Sequence, residues 1–436
     1  MSVNEDEVVR IHRRVSDALS QHDVGADREN RQPLSGDDRR QFTRSLISQE
    51  ISELHREMLS RGETLTSEGE AGLEAAVYSR MFGLGRIQQY VDDESITDIF
   101  INGFDVVWLV RRDGTKVQGR PVAGSDQELI EMIQAQARRG QSEKRWDFSS
   151  PTLDLQLPSG DRLNAMAWVT DRPSVSIRRH DFGIYRLKQL VGQTLSQSLY
   201  YFLRAAVAAK LNIIVAGGTG AGKTTLLRCL INELDPLERL ITIEDSLELG
   251  VKRFGDLHRD VIETEAREAN VEGVGEFDMA SLVRNSLRQK PDRVIVGEIR
   301  GAEVLPMMLA MSQGNDGSLS TVHADSSAAV FSRIQMYMAM TPERFDVPTT
   351  NLMVANAIDL VVHITQLPTQ ERVVTSVREV KEADGNVVAS NEIYGPDDTG
   401  RAVPQFKLSD HTRRKMLMAG FDLDWLAPHR GRWSDI

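Results

Sequence analysis

The chain has one cysteine, Cys229, in 436 residues. A single thiol excludes an internal disulfide framework and suits a reducing cytoplasm. Long apolar runs are missing as well: stretches such as Ile213 to Ala216 and Leu360 to Val362 fall far short of the ~20 residues a membrane-spanning helix needs. The start, Met1 to Glu7, is acidic and polar, so no secretory signal is expected. Positive charge is in deficit, with 52 Lys and Arg against 64 Asp and Glu and a net charge of −12. Gripping a nucleic-acid backbone calls for the opposite balance, so nucleic acid is disfavoured as a primary ligand. What remains, 40% hydrophobic and 27% charged residues, is length and core for two or three domains.

The patterning changes along the chain. Residues 1–65 form a charged leader with two helical stripes, Val8, Ile11, Val15 and Leu19, then Phe42, Leu46, Ile47, Ile51, Leu54 and Met58. The polar stretch His22 to Asp38 between them, with Pro33 and Gly36, reads as a linker. Residues 70–190 read as a small α+β domain of short strands and turns. Its signals are paired strands at 98–102 and 106–110, a capping box of Ser125 with Glu128, a hairpin at 153–166 around Pro158 to Asp161, and a last strand from Ser174 to Arg179. From 195 to 400 strands alternate with helices, as in a parallel-sheet nucleotide-binding core. Residues 401–436 read as a tail with a short helix near Asp410 to Ala419. Cys229 falls on the apolar side of a helix, where packing explains it better than chemistry.

That core carries Gly217-Gly218-Thr219-Gly220-Ala221-Gly222-Lys223-Thr224, with Thr225 next, after a short apolar strand (Leu211 to Ala216) and at the start of a helix reaching Leu234. Strand, glycine loop and helix aim a helix N-terminus at an anion. Glycines let backbone N–H groups turn inward without Cβ obstruction. Lys223 supplies a point charge for β- and γ-phosphates, and the Thr224 hydroxyl belongs in a Mg²⁺ shell. ATP with Mg²⁺ is the expected ligand.

Phosphoryl transfer also needs a group for water or metal and positive charge for the transition state. The strand Leu240 to Asp245 ends in two carboxylates, Glu244 and Asp245, with Glu248 soon after, and such strand ends are where α/β sheets bind ligands. Arg293 to Glu298 repeats the design, with Glu298 as the metal-side or water-activating acid and Gly297 expected to leave room for phosphates. His323 closes a third short strand. Arg284, Arg288, Arg293 and Arg300 cluster here; most such charges are solvated or paired, and Arg300 stands among the catalytic candidates.

Together these segments resemble the secretion-ATPase superfamily that powers type II secretion, type IV pili and type IV secretion, and in particular its CpaF-like branch, which serves tight-adherence pili. Gly217 to Thr224 matches the family's Walker A box and Ile241 to Leu249 (ITIEDSLEL) resembles its aspartate box. Lys290 to Gly301 (KPDRVIVGEIRG) resembles its atypical Walker B box, and Gly317 to Ser326 (GSLSTVHADS) its histidine box. Segments from Gly83 to Arg179 resemble its N-terminal domain. Asn315 and Asp316 stand where the family often has His-Asp. The resemblance implies an α/β fold with a RecA-like P-loop core, preceded by the α+β domain and the helical leader. It further implies a homohexamer at the cytoplasmic face of the membrane, driving inner-membrane platform proteins. In that scheme Glu298 is general base and metal-side acid, Glu244 or Glu248 positions metal or water, and His323 senses the γ-phosphate. Arg178 and Arg179 bring the N-terminal domain to the nucleotide. A RecA-like motor for DNA transfer and a non-hydrolysing, nucleotide-dependent scaffold stand as alternatives.

Overall fold

In the computed structural model, which describes residues 5–28, 34, 36–138, 144–179, 183–267, 269 and 274–427, the chain divides into two units, Met1–His180 and Asp181–Ile436. The first opens with α1 (Glu5–Arg28), α2 (Gly36–Ser60) and α3 (Ser67–Phe82). Val8, Ile11, Val15 and Leu19 of α1 share a buried cluster with Ile47, Ile51 and Leu54 of α2 and with Leu73 and Val77 of α3. Each such side chain contributes about 1.5–3 kcal/mol on burial, enough to hold a bundle whose other faces are charged. Arg14 ties the seam by pairing with Glu50 at 2.8 Å and Glu53 at 2.7 Å.

Two expectations are corrected here. The stretch 22–38, read as a linker, is helical at both ends, 22–28 and 36–38; apart from Leu34, the remainder lies outside the described residues. The helical leader also continues beyond 65, because α3 completes its core. Thr66 caps α3 by accepting from the Gly69 amide at 3.2 Å, so a domain start near 70 falls inside a helix.

After α4 (Gln88–Asp92) come β1 (Ile96–Asn102), β2 (Val107–Arg111), β3 (Lys116–Gln118), α5 (Asp126–Ala137), β4 (Thr152–Gln156), β5 (Arg162–Met166) and β6 (Ser174–Arg178). The strands form an antiparallel sheet in the order β3-β2-β1-β6-β5-β4. Ile99, Ile101, Leu163 and Ile177 point to the face that Leu129 and Ile133 of α5 cover, as period-2 alternation dictates. Ser125 caps α5 through the Glu128 amide at 3.1 Å, while the Glu128 carboxylate reaches the Gly124 amide at 2.7 Å instead of closing the box on Ser125.

The second unit runs α6 (Gln197–Ala208), β7 (Ile213–Ala216), α7 (Lys223–Ile231), β8 (Arg239–Glu244), β9 (Asp260–Glu265), α8 (Met279–Ser286), β10 (Arg293–Ile299), α9 (Val304–Ser312), β11 (Leu319–Val322), α10 (Ala329–Met340), α11 (Val347–Ala357), β12 (Leu360–Gln366), β13 (Arg372–Asp384), β14 (Val387–Pro396), β15 (Ala402–Pro404) and α12 (Asp410–Met418). Its nine-stranded sheet has the order β15-β14-β13-β12-β7-β11-β10-β8-β9. From β12 to β9 the strands are parallel, and β12 to β15 form an antiparallel extension. β7 and β11 are buried throughout, which is why they read as unbroken apolar or small-residue runs.

This is a RecA-like α/β core. Cys229 is fully buried in α7 and burial pushes its thiol up to about 12, as a packing residue requires. Part of the region read as a tail belongs to the core: Ala402, Met416 and Phe421 join the main buried cluster. The buried Glu379 also accepts the Ser409 amide at 3.0 Å and its hydroxyl at 2.6 Å.

Candidate active site

Four adjacent parallel strands end on the candidate residues. β7 leads into the glycine loop, β11 into His323, β10 carries Glu298 near its end, and β8 ends at Glu244. Spacing along the chain could not order them; the sheet does, because β7, β11, β10 and β8 are neighbours.

The loop runs Gly217 to Gly222 and α7 starts at Lys223, with Gly222 left-handed at φ +102° as its N-cap. A Cβ on Gly217 would lie 2.2 Å from the Ile364 carbonyl oxygen, so only glycine fits against β12. Gly218, Thr219 and Gly220 are exposed. Among the described residues their amides donate to no backbone carbonyl. Three uncommitted N–H groups at a helix N-terminus, with nothing overhanging Gly218 or Gly220 within 4 Å, make a cradle that fits phosphate oxygens. Thr224 and Thr225 follow in the first turn of α7.

Lys223 is the charged centre. Its buried ammonium donates to the Gly218 carbonyl at 3.0 Å, stands 3.2 Å from both ring nitrogens of His323, and lies 3.9 Å from Glu298 Oε1. Burial pulls the Lys223 pKa below its usual value, against the opposing pull of Glu298 and Glu248. His323 is likewise lowered by burial, against the pull of Glu298, and so is neutral at pH 7. His323 Nε2 comes within 2.7 Å of Glu298 Oε1, yet the two are not aligned as a hydrogen bond and that oxygen makes none. A carboxylate oxygen with an open lone pair beside a lysine is available for water or for a metal's hydration shell.

Glu244 behaves differently. Its Oε2 accepts the amides of Glu248 at 2.8 Å and Leu249 at 2.9 Å, fixing the turn after β8, while Oε1 is buried without a hydrogen bond. Burial pushes its acid up to about 8, so at pH 7 it carries a proton and is a poor ligand for a cation. Gly297 is explained by the same side chain. A Cβ there would press on Glu244 Cγ at 3.0 Å, so the glycine makes room for Glu244. Glu248 is half-buried and near enough to raise the Lys223 pKa.

Arg300 donates to Asp245 at 2.6 Å and stands 3.9 Å from Glu298 Oε2, which places one guanidinium beside two acids of the site. Arg293, by contrast, is buried and structural: it bonds Glu238 at 2.5 Å and the carbonyls of Gly317 and Val207 at 3.0 and 3.1 Å. Arg284 donates to its helix neighbour Ser281 at 3.3 Å. In the first unit Arg178 is exposed and bonds Asp98 at 3.1 Å, whereas Arg179 is spent on the carbonyls of Asp93 and Ile96.

Arg372 escaped sequence reasoning. It opens β13 and donates its Nε to the Gly220 carbonyl at 2.9 Å. A lone arginine at a strand start, some 150 residues from the loop, carries no spacing signal.

A family profile described as type II/IV secretion system protein matches residues 82–418. The chain belongs to that family. A Mycobacterium tuberculosis relative, whose name assigns it provisionally to conjugal transfer, is 29% identical over 320 residues, covering 71% of this chain and 88% of the relative. The type IV secretion system protein VirB11 of Brucella suis is 28% identical over 335 residues, 70% of this chain and 91% of VirB11. The crystal structure of the pilus retraction motor PilT with bound ADP shares the fold, with a TM-score of 0.50 and 18% identity over 73% of this chain and 84% of PilT. Membership of this secretion ATPase family is consistent with nucleotide binding at the cradle. Among the described residues, no helix is long and apolar enough to cross a membrane.

Proposed function

We propose that this chain hydrolyses ATP to drive a secretion or pilus-assembly machine. The observation that carries the reading is the meeting of Lys223, His323 and Glu298 within 4 Å of one another beside an uncommitted glycine cradle. In this reading Gly217, Gly218, Thr219, Gly220, Ala221, Gly222 and Thr225 cradle the phosphates, and Lys223 leaves Gly218 for the β,γ-bridge. Thr224 and Glu298 would hold Mg²⁺ directly or through water, and the ion supplies charge neutralisation at the phosphates when bound. No group of three or more acidic, His or Cys side chains among the described residues is arranged to hold a metal alone. That suits an ion brought in largely by the nucleotide. Glu298 takes or orients the proton of the attacking water. His323, neutral and 2.7 Å from it, is placed to report the state of the γ-phosphate. Arg300 supplies positive charge from the Asp245 side, and Glu248 supplements the polar shell. Glu244 acts as a positioning residue for the 244–249 turn. By the family resemblance alone, Arg178 and Arg179 stay the N-terminal-domain candidates for nucleotide contact.

The test is Glu298→Gln. Nucleotide affinity should stay within about threefold of the parent while turnover drops by about 10²–10⁴, the usual contribution of a general base. Lys223→Ala should lose ATP binding itself. Turnover in Glu298→Gln equal to the parent would remove Glu298 from the chemistry and favour a scaffold that only binds nucleotide.

By the CpaF-like resemblance, we further infer a homohexamer on the cytoplasmic face of the membrane, working on inner-membrane platform proteins of a tight-adherence pilus. The relative named for conjugal transfer supports a second reading, in which the motor serves DNA transfer. Salt-dependent stimulation of ATP hydrolysis by DNA would favour that one, against the net charge of −12.

A further inference from the structure

We propose that Arg372 is a positioning residue for the nucleotide, holding the crest of the glycine loop in its receptive shape while Lys223 is drawn away to the phosphates. The inference rests on reading the Gly217–Thr224 loop as the ATP site.

The crest has little else to support it. Gly218, Thr219 and Gly220 are exposed, and side chains added at Gly218 or Gly220 would touch nothing within 4 Å. One internal bond closes the turn, from the Ala221 amide to the Gly218 carbonyl at 3.3 Å. Two side chains then reach the loop's carbonyls from outside it in sequence or along it: Lys223 to Gly218 at 3.0 Å, and Arg372 to Gly220 at 2.9 Å. The lysine is the group that β- and γ-phosphates recruit, so its grip on Gly218 is the one that ligand entry relaxes. Arg372 approaches through a carbonyl, on the side of the peptide that phosphates do not use. Its grip survives occupancy, and its charge adds to the field of the cradle.

The arginine is itself well founded. It pairs with Gln366 at the root of the β12–β13 hairpin, and the Leu367 amide donates to the Glu371 carbonyl at 2.8 Å. Arg401 holds Glu371 at 3.0 Å. β12 lies hydrogen-bonded beside β7, with His363 opposite Ala216, the last residue before the loop. Both ends of the Arg372–Gly220 contact are therefore rooted in one sheet, and a Cβ added at Gly222 would meet Arg372 Cδ and Ile364 Cδ1 at 3.3 and 3.4 Å. Among the described residues no further hydrogen bond to the Arg372 guanidinium is made beyond Nε.

The experiment titrates a fluorescent ATP analogue into the full-length parent, Arg372→Ala, Arg372→Lys and Lys223→Ala, with hydrogen exchange of the 217–222 segment measured without nucleotide. Arg372→Ala should raise Kd about tenfold, as loss of a hydrogen bond from a charged donor does. Exchange at 217–222 should quicken, while kcat at saturating ATP stays within about threefold, a ground-state binding signature. Arg372→Lys keeps the charge without the fixed fork and should fall between the two; it carries the test if the alanine variant does not fold. Parent-like Kd and parent-like exchange in a folded Arg372 variant overturn the proposal. If instead Lys223→Ala binds the analogue as the parent does, the ATP-site reading itself has failed and the inference falls with it.

Discussion

Glu244 spends one oxygen on the amides of Glu248 and Leu249 and keeps the other buried without a hydrogen bond. The folded protein thus retains a proton to about pH 8 that the unfolded chain releases near its ordinary value of 4.5. Between those values the native state binds more protons than the unfolded one, so this group's contribution to stability is full below about pH 4.5 and declines as pH rises toward 8, by at most ~1.4 kcal/mol per pH unit. Glu244→Gln mimics the protonated acid. Its thermal midpoint should hold nearly level from pH 5 to 8 relative to a falling parent, and parallel curves for the two proteins would show that Glu244 is ionised in the fold. The phosphate-loop pattern at Lys223 and Thr224 was legible in the chain because strand, loop and helix are contiguous, and Glu298 stood out as an acid near the end of a short apolar strand. The state of Glu244 was not. Nothing in ITIEDSLEL tells a solvated strand-end acid from a buried one, and the difference comes from Gly297 on the neighbouring strand, which leaves it space.

At the level of elements, the glycine loop is clamped from the side by β12. Gly217→Ala keeps a permitted backbone but drives a methyl to 2.2 Å from the Ile364 carbonyl oxygen. The loop must move off β12, at a cost of about 1–3 kcal/mol in urea unfolding, together with weaker ATP binding. Gly218→Ala meets nothing within 4 Å and should change stability by less than about 0.5 kcal/mol. Equal losses in the two variants would mean that contact with β12 does not shape the loop. The same scale explains where element reading failed. Apolar spacing found α1 and α2, but α3 follows a helix end at Ser60 and mixes Gly, Ala and Glu, with only Leu73 and Val77 buried. Its helical state is settled by the cluster it completes. The linker reading missed that α1 runs on through 22–28 and that α2 starts at Gly36, because neither 22–28 nor 36–38 carries the apolar spacing that marked the two helices.

As a whole molecule, the chain pairs an acidic net charge of −12 with a glycine-loop cradle at the end of β7, the central strand of its nine-stranded sheet. If the proposed ring forms, light scattering behind size exclusion with ATP and Mg²⁺ should give six times the 48.8 kDa chain mass; a monomer under saturating nucleotide would sink the hexamer. The chain alone determined that a phosphate loop exists, that two short apolar strands end in acids, and that an α/β core follows an α+β segment, because each of these is written in contiguous residues and short periods. Only the tertiary structure decided which strand ends meet. It ordered β12, β7, β11, β10 and β8 side by side, brought His323 and Glu298 to Lys223, buried Glu244, and delivered Arg372 to Gly220. Those contacts join residues tens to more than a hundred positions apart, and strand order is set by the packing of whole helices and sheets, which no local pattern encodes.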